Sequence, residues 1–245
     1  MSNKDAIYSK PLEAIADFSF DDKVVQVFPD MIQRSVPGYS TIIAMTGVMA
    51  ARYAQAGSFC YDLGSSLGAS TLSLRQQLEH AEQKPAKIIA VDNSAAMQQR
   101  CQQIIAQDTS STDVELVENN IQDVVIENAS VVVLNFTLQF INIAAREALL
   151  QKIFNGMRSG GILILSEKFC FDDPHLQQLN TDLHHSFKRA NGYSDMEISQ
   201  KRTALEKVLL PETINTHQQR LKDVGFSSND VWFQCFNFAS LVAIK

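Results

Sequence analysis

From Ser58 to Lys168 the chain alternates short β-branched or apolar runs with longer, more polar stretches of helical spacing. The runs are SFCYDL, KIIAVD, DVELVE, SVVVLNF and GILILSEK. A strand buried on both faces needs such a run, and parallel neighbours need helices between them, so the pattern predicts a parallel sheet with crossover helices. After VDNS, Met97, Cys101, Ile104 and Ile105 recur at helical spacing, and Ser94 is placed to cap the first turn. The stretch NIAAREALLQKIFNGMRSGG predicts another crossover helix, stopped at Gly160-Gly161.

The flanks have a different rhythm. Phe18 to Tyr53 is helical in pattern and broken at Pro29 and at Val36-Pro37-Gly38, which predicts two helices and a turn. Beyond Lys168 there are helical stretches, interrupted near Asn191-Gly192, but no strand. This insertion is expected to lie over the carboxyl edge of the sheet or to make a subunit contact. PETINTHQQRLKDVG predicts a last helix, followed by two antiparallel strands that meet around Gln234 to Asn237. The expectation is one α/β domain over residues 1–245 with a doubly wound, mostly parallel seven-stranded sheet. Its parts are an N-terminal helical cap (1–56), a ligand-binding core (57–168), a helical insertion (169–210) and a C-terminal helix with a strand hairpin (211–245).

Composition narrows the function classes. The 245 residues suffice for one substantial core. No window approaches the ~18 consecutive apolar residues of a membrane span, and the start lacks a basic region followed by an apolar run, so the cytoplasm is the expected compartment. A net charge of -6 argues against direct nucleic-acid binding, which draws on a basic face. The cysteines, Cys60, Cys101, Cys170 and Cys235, are far apart and have no histidine at ligand spacing. Buried thiols in a reducing compartment, and no metal, are expected.

Candidate chemistry gathers at the strand ends. YDLGSSLGA contains G-x-S-x-G, the spelling of a hydrolase nucleophile elbow at Ser66, yet it sits on the first strand with no oxyanion segment before it. None of the five histidines is marked as a base: His80 is expected on a helix surface, and His175, His184, His185 and His217 fall in helical patterns. The same residues suit a ligand turn, in which Gly64 allows close backbone approach and Gly68 lets the next helix start tightly. Asp62 before the turn would repel a pyrophosphate and attract a cation. Asp92, ending the second run, can accept from both hydroxyls of a ribose. Asn120 after the third run could face an adenine amino group, and Asn135 ends the fourth. Two acids and two amides at successive strand ends point to a cationic aminoacyl nucleoside, S-adenosyl-L-methionine, and to the Rossmann-like fold of class I methyltransferases.

A narrower resemblance runs along nearly the whole chain. Through FPDMIQRSVPGYS, YDLGSSLGA, VLNFTLQF, SEKF, FKRANGYS, EISQKR and VWFQCFNF, the sequence resembles the carboxy-S-adenosyl-L-methionine synthase family of bacterial tRNA wobble-uridine modification. The glycine turn is shared with many methyltransferases, whereas the N-terminal and FKRANGYS to EISQKR segments are far more specific. The resemblance implies that S-adenosyl-L-methionine and prephenate become carboxy-S-adenosyl-L-methionine and phenylpyruvate in a homodimer. It further implies that Tyr39 closes over the cofactor, Gly64, Ser65 and Ser66 hold its amino-acid portion, Asp92 and Asn93 the ribose and adenine side, Asn120 and Ile121 the adenine, and Asn135 the reacting end. Arg202 is implied to bind the new carboxylate, reaching across from the partner subunit. Two positions depart from the family's habit, which often has Cys where Ser65 stands and Asp where Asn120 stands.

An arginine suits this chemistry, because a planar guanidinium can grip a carboxylate with two parallel hydrogen bonds. Read without the family, Arg202 is a solvated helix residue before it is a carboxylate ligand. Arg34, Lys188 and Arg189 are further candidates for contacts with prephenate, and surface ion pairing explains them as well. Trp232, Phe233, Phe236 and Phe238 fit core and dimer packing better than base stacking, having few basic neighbours. The rival functions are a methyltransferase that uses unmodified S-adenosyl-L-methionine on a small molecule or tRNA, and a non-catalytic dimer that delivers a nucleoside ligand.

Overall fold

A computed structural model describes residues 3–245. The α/β core follows the expected alternation: β1 (Phe59–Leu63), α3 (Ala69–Leu78), β2 (Lys87–Asp92), α4 (Ala95–Ile105), β3 (Val114–Glu118), β4 (Ala129–Asn135), α5 (Ile143–Gly156) and β5 (Met157–Lys168). Ahead of it lie α1 (Asp22–Ser35) and α2 (Tyr39–Tyr53); after it come α6 (Pro174–Ala190), α7 (Asp195–Leu205), α8 (Ile214–Asp223), β6 (Ser228–Cys235) and β7 (Phe238–Ile244). The seven strands form one sheet in the order β3-β2-β1-β4-β5-β7-β6. Strands β1 to β5 run parallel, and β7 runs antiparallel to both β5 and β6. The order reverses between β1 and β4, and in an open α/β sheet a ligand binds in the crevice outside the carboxyl ends at such a switch point.

Burial explains the apolar runs. Strand β4 is buried from Ala129 to Leu134 and β1 from Cys60 to Leu63. One face of the sheet packs on α5 and α8 through Leu149, Leu150, Ile153 and Leu221; the other packs on α2 and α3 through Ala50, Leu74 and Leu78. Ser94 caps α4 as the sequence predicts, its Oγ accepting from Met97 N at 3.2 Å.

Four local expectations need correction. Pro29 lies inside α1 and does not break it: Val24, Val27 and Met31 bury a continuous stripe against Leu67 and Met97, and this packing carries the helix past the lost N–H. Helix α5 stops at Gly156, four residues before the expected glycine pair, because Met157 already pairs with Ala129 of β4. Gly160 and Gly161 instead form an irregular stretch of β5, bonded through Gly160 N and Gly161 O to Lys245. Cys60 and Cys101 are buried, but Cys170 and Cys235 are only half-buried. His80 lies in the exposed turn just after α3 and not on the helix itself.

Candidate active site

The carboxyl ends of the strands, roofed by α1, α2, α6 and α7, enclose a cavity of about 430 Å³. Its floor begins at the turn after β1. Gly64 has φ +86°, and a Cβ there would run into the Thr137 side chain, so both conformation and space require glycine. Ser66 also has a left-handed backbone (φ 49°), held by its N–H donating to Asp92 Oδ2 at 2.9 Å. Asp92 Oδ1 accepts from Ser94 N at 2.9 Å. Two backbone donors therefore fix the carboxylate at the cavity wall, while each oxygen keeps a lone pair for a ligand hydroxyl. Burial raises the Asp92 pKa, opposed by those two hydrogen bonds.

Ser65 lines the same turn with its Oγ buried and unpartnered. An orphan hydroxyl in a cavity wall is a polar group awaiting a ligand. Ser66 Oγ lies 3.4 Å from Met97 Sδ with neither a histidine nor an acid on it, which removes the hydrolase geometry. Asp62 is turned away from the cavity: it is 1% exposed, and its Oδ2 accepts from Thr71 Oγ1 at 2.6 Å. Burial pushes its carboxyl up to about 6. Its role here is to tie the end of β1 to the start of α3, not to meet a cation.

Asn93 and Ile121 line the cavity, but Asn120 does not. Asn120 is exposed, its Oδ1 accepts from Asn93 Nδ2 at 3.1 Å and its Nδ2 donates to Asp123 at 3.0 Å. The expected adenine contact through its side-chain carbonyl is thus replaced by a brace on Asn93, and Asn119 and Gln122 take the wall positions. Phe20, tied down by Ser94 Oγ donating to its carbonyl at 2.7 Å, and Phe140 supply an apolar wall at this end.

In mid-cavity Asn135 is locked from both sides. Its Nδ2 donates to Ser70 Oγ at 2.9 Å and to Thr46 Oγ1 at 3.3 Å, and its Oδ1 accepts from Ser166 Oγ at 2.6 Å. Ser166 is hydrogen-bonded to Ser240, which accepts from Trp232 Nε1 at 2.8 Å. Trp232 is therefore one end of a relay that orients Asn135. Tyr39 reaches the cavity from the start of α2 and packs near Phe136, with ring centroids 6.1 Å apart; burial raises its phenol.

The far end is cationic, which the sequence signalled only through Lys188. Lys168 from β5, Lys188 from α6 and Lys201 from α7 all line it, with His184 and Phe238. Lys168 could have been found, since it ends its strand as Asp92 and Asn135 end theirs; Lys201 could not, because its direction depends on how α7 packs. Arg202, the next residue, stands on the exposed side of α7 and does not line this chain's own cavity. Arg34 pairs with Asp30 and stacks on Tyr193, and Arg189 pairs with Asp195 at the surface, so neither meets the cavity as a free cation.

Comparison with known proteins agrees with this geometry. A methyltransferase domain model matches residues 61–161. The chain is 62% identical to carboxy-S-adenosyl-L-methionine synthase of Citrifermentans bemidjiense over 242 residues, 98% of each chain. It is 58% identical to the enzyme of that name from Aliivibrio salmonicida over the whole of both chains. The chain belongs to the carboxy-S-adenosyl-L-methionine synthase family. Its fold is the Rossmann-like class I methyltransferase fold, shared at low identity with solved methyltransferases. Human N-acetylserotonin methyltransferase, solved with S-adenosyl-L-methionine, aligns with TM-score 0.59 and 15% identity over 91% of this chain and 55% of that one. An O-methyltransferase family protein from Burkholderia thailandensis aligns with TM-score 0.63 and 18% identity over 92% and 60%. As a synthase of this family, the chain is an enzyme that handles a small molecule on an S-adenosyl-L-methionine scaffold. No helix among the described residues is long and apolar enough to cross a membrane.

Proposed function

We propose that this enzyme converts S-adenosyl-L-methionine and prephenate to carboxy-S-adenosyl-L-methionine and phenylpyruvate. The observation that carries the reading is the polarity of the cavity, a nucleoside end built on Asp92 and an anion end lined by lysines, in a chain with full-length relatives of that name. A plain methyl transfer needs no such cationic end. In the reaction, prephenate loses carbon dioxide and hydroxide, the hydroxide takes a proton from the sulfonium methyl, and the resulting carbanion adds carbon dioxide, leaving water and phenylpyruvate. The chain's part is to hold the ribose on Asp92, seat the amino-acid portion against Gly64, Ser65 and Ser66, place the reacting end beside Asn135 and Tyr39, and keep carbon dioxide enclosed until it is captured.

In this reading the product serves as the carboxymethyl donor for tRNA wobble-uridine modification by a separate enzyme in the cytoplasm; four free cysteines suit that compartment. The enzyme acts as a homodimer in which Arg202 of the partner subunit meets the new carboxylate. Two features support a dimer: Arg202 is exposed, and α6 carries an exposed stripe of Leu176, Leu179 and Leu183 (48%, 52% and 37%). The deciding assay incubates the protein with both substrates and weighs the nucleoside product. Carboxy-S-adenosyl-L-methionine with equimolar phenylpyruvate is expected; S-adenosylhomocysteine formed with an acceptor, and no prephenate consumed, would refute the reading.

A further inference from the structure

Three ammonium groups converge where the structure supplies few anions. Lys188 and Lys201 are 8% and 6% exposed, and Lys168 lies beside them in the cavity wall. An ammonium removed from water is costly unless it is paired and hydrogen-bonded. Lys201 meets that need: its Nζ donates to Ser35 Oγ at 3.1 Å and lies 3.8 Å from Asp5 Oδ2. Asp5 also accepts from Tyr193 Oη at 2.5 Å, so its carboxylate is already engaged. Among the described residues, neither Lys168 nor Lys188 has a carboxylate within salt-bridge distance or a hydrogen bond from its Nζ.

The charged and titratable groups around this end come from every packed element: Asp5 from the N-terminal segment, Arg34 and its ion-pair partner Asp30 from α1, Lys168 from β5, His184, His185 and Lys188 from α6, and Lys201 and Arg202 from α7. Asp5 is the one carboxylate acting on Lys188. His184 adds no charge: its Nε2 donates to Ser35 O (2.8 Å), and burial followed by Lys188 and Lys168 drives its pKa far down. Burial, then Lys201 and Lys168, lowers Lys188 to about 7, the signature of a cation without its counter-charge. Beside these groups the rings of Phe136 and Phe238, with centroids 6.2 Å apart, offer an apolar surface. Two unpaired ammonium groups next to a ring-sized apolar wall match a ligand with one carboxylate on a carbocycle and a second on its side chain.

We propose that Lys168 and Lys188 form the subsite that takes the two carboxylates of the dicarboxylic co-substrate, its ring packed on Phe136 and Phe238, while Lys201 is held by Asp5 and Ser35 as the wall. This rests on the reading of prephenate as co-substrate. The subsite lies on the opposite side of Asn135 from Asp92 and belongs to one chain, separately from Arg202.

The test is calorimetric titration of prephenate into the full-length protein saturated with S-adenosylhomocysteine, alongside steady-state KM for prephenate and an independent Kd for S-adenosyl-L-methionine. Lys168→Gln and Lys188→Gln are each expected to weaken prephenate roughly tenfold or more, the effect of losing a charge-assisted hydrogen bond. S-adenosyl-L-methionine affinity should stay near wild type, and Lys188→Arg should restore part of the loss, which a purely structural role for the lysine would not produce. Unchanged prephenate affinity in both glutamine variants overturns the subsite. So does a parallel loss of S-adenosyl-L-methionine affinity, which would assign the lysines to that molecule's own carboxylate. The two readings separate in the wild type: prephenate bound but never converted ends the proposed reaction and leaves the subsite standing, whereas normal conversion with unaltered KM in the variants ends only the subsite.

Discussion

At the scale of single residues, the nucleoside end of this site is held by backbone donors. Asp92 illustrates it, since Ser66 N and Ser94 N aim the carboxylate before any ligand arrives. An acceptor fixed in this way loses little orientational freedom on binding, which is where preorganised sites gain affinity. Asp92→Ala should weaken S-adenosyl-L-methionine by about 1.5–3 kcal/mol, the range for hydrogen bonds to a charged group, and should also loosen the turn that Ser66 closes. Calorimetry with S-adenosylhomocysteine checks it, and an unchanged Kd would remove Asp92 from the site. Asn120 shows the limit of naming residues from a strand end. The loop after β3 does meet the cavity, but a shift of one position decides which amide faces it, and the bond to Asn93 turns Asn120 outward.

Single elements show how local chemistry and packing divide the work. Helix α7 starts with a reciprocal cap: Glu197 N donates to Ser194 Oγ at 3.3 Å, and Ser194 N donates to Glu197 Oε2 at 2.8 Å. Ser194→Ala should cost about 1 kcal/mol in urea unfolding. Because α7 carries Lys201 inward and Arg202 outward, its fraying should raise prephenate KM more than it changes kcat; a loss confined to kcat would contradict this role for the helix. The α1 helix makes the opposite point. A proline predicts a break, yet the buried stripe from Val24 to Met31 outweighs it, because one lost backbone bond is small beside several buried side chains.

For the whole molecule, the exposed α6 leucines and the outward Arg202 belong to one surface question. Leu179→Glu places a charge in the stripe proposed to be covered by a second copy. Light scattering at micromolar concentration should then report a monomer, and the monomer should lose its preference for the carboxylated over the uncarboxylated cofactor, as Arg202→Ala should in the intact dimer. A wild-type protein that is monomeric throughout, or a monomeric variant that keeps the preference, would show that Arg202 does not act across subunits. Wherever one type of local signal dominates, the sequence alone determines the outcome: fully apolar runs make buried parallel strands, Ser94 caps α4, Gly64 makes the turn, and the switch point places Asp92 and Asn135 at one crevice. What only the tertiary structure decides is side-chain direction at the end of an element and the meeting of distant ones. Asp62 turns inward to Thr71, Asn119 takes the place expected of Asn120, and β5, α6 and α7 each bring a lysine to the same end of the cavity. Periodicity and turn chemistry act over a few neighbouring residues, whereas those directions are set by partners on other elements, Thr71 for Asp62, Asn93 for Asn120 and, 166 positions away, Ser35 for Lys201.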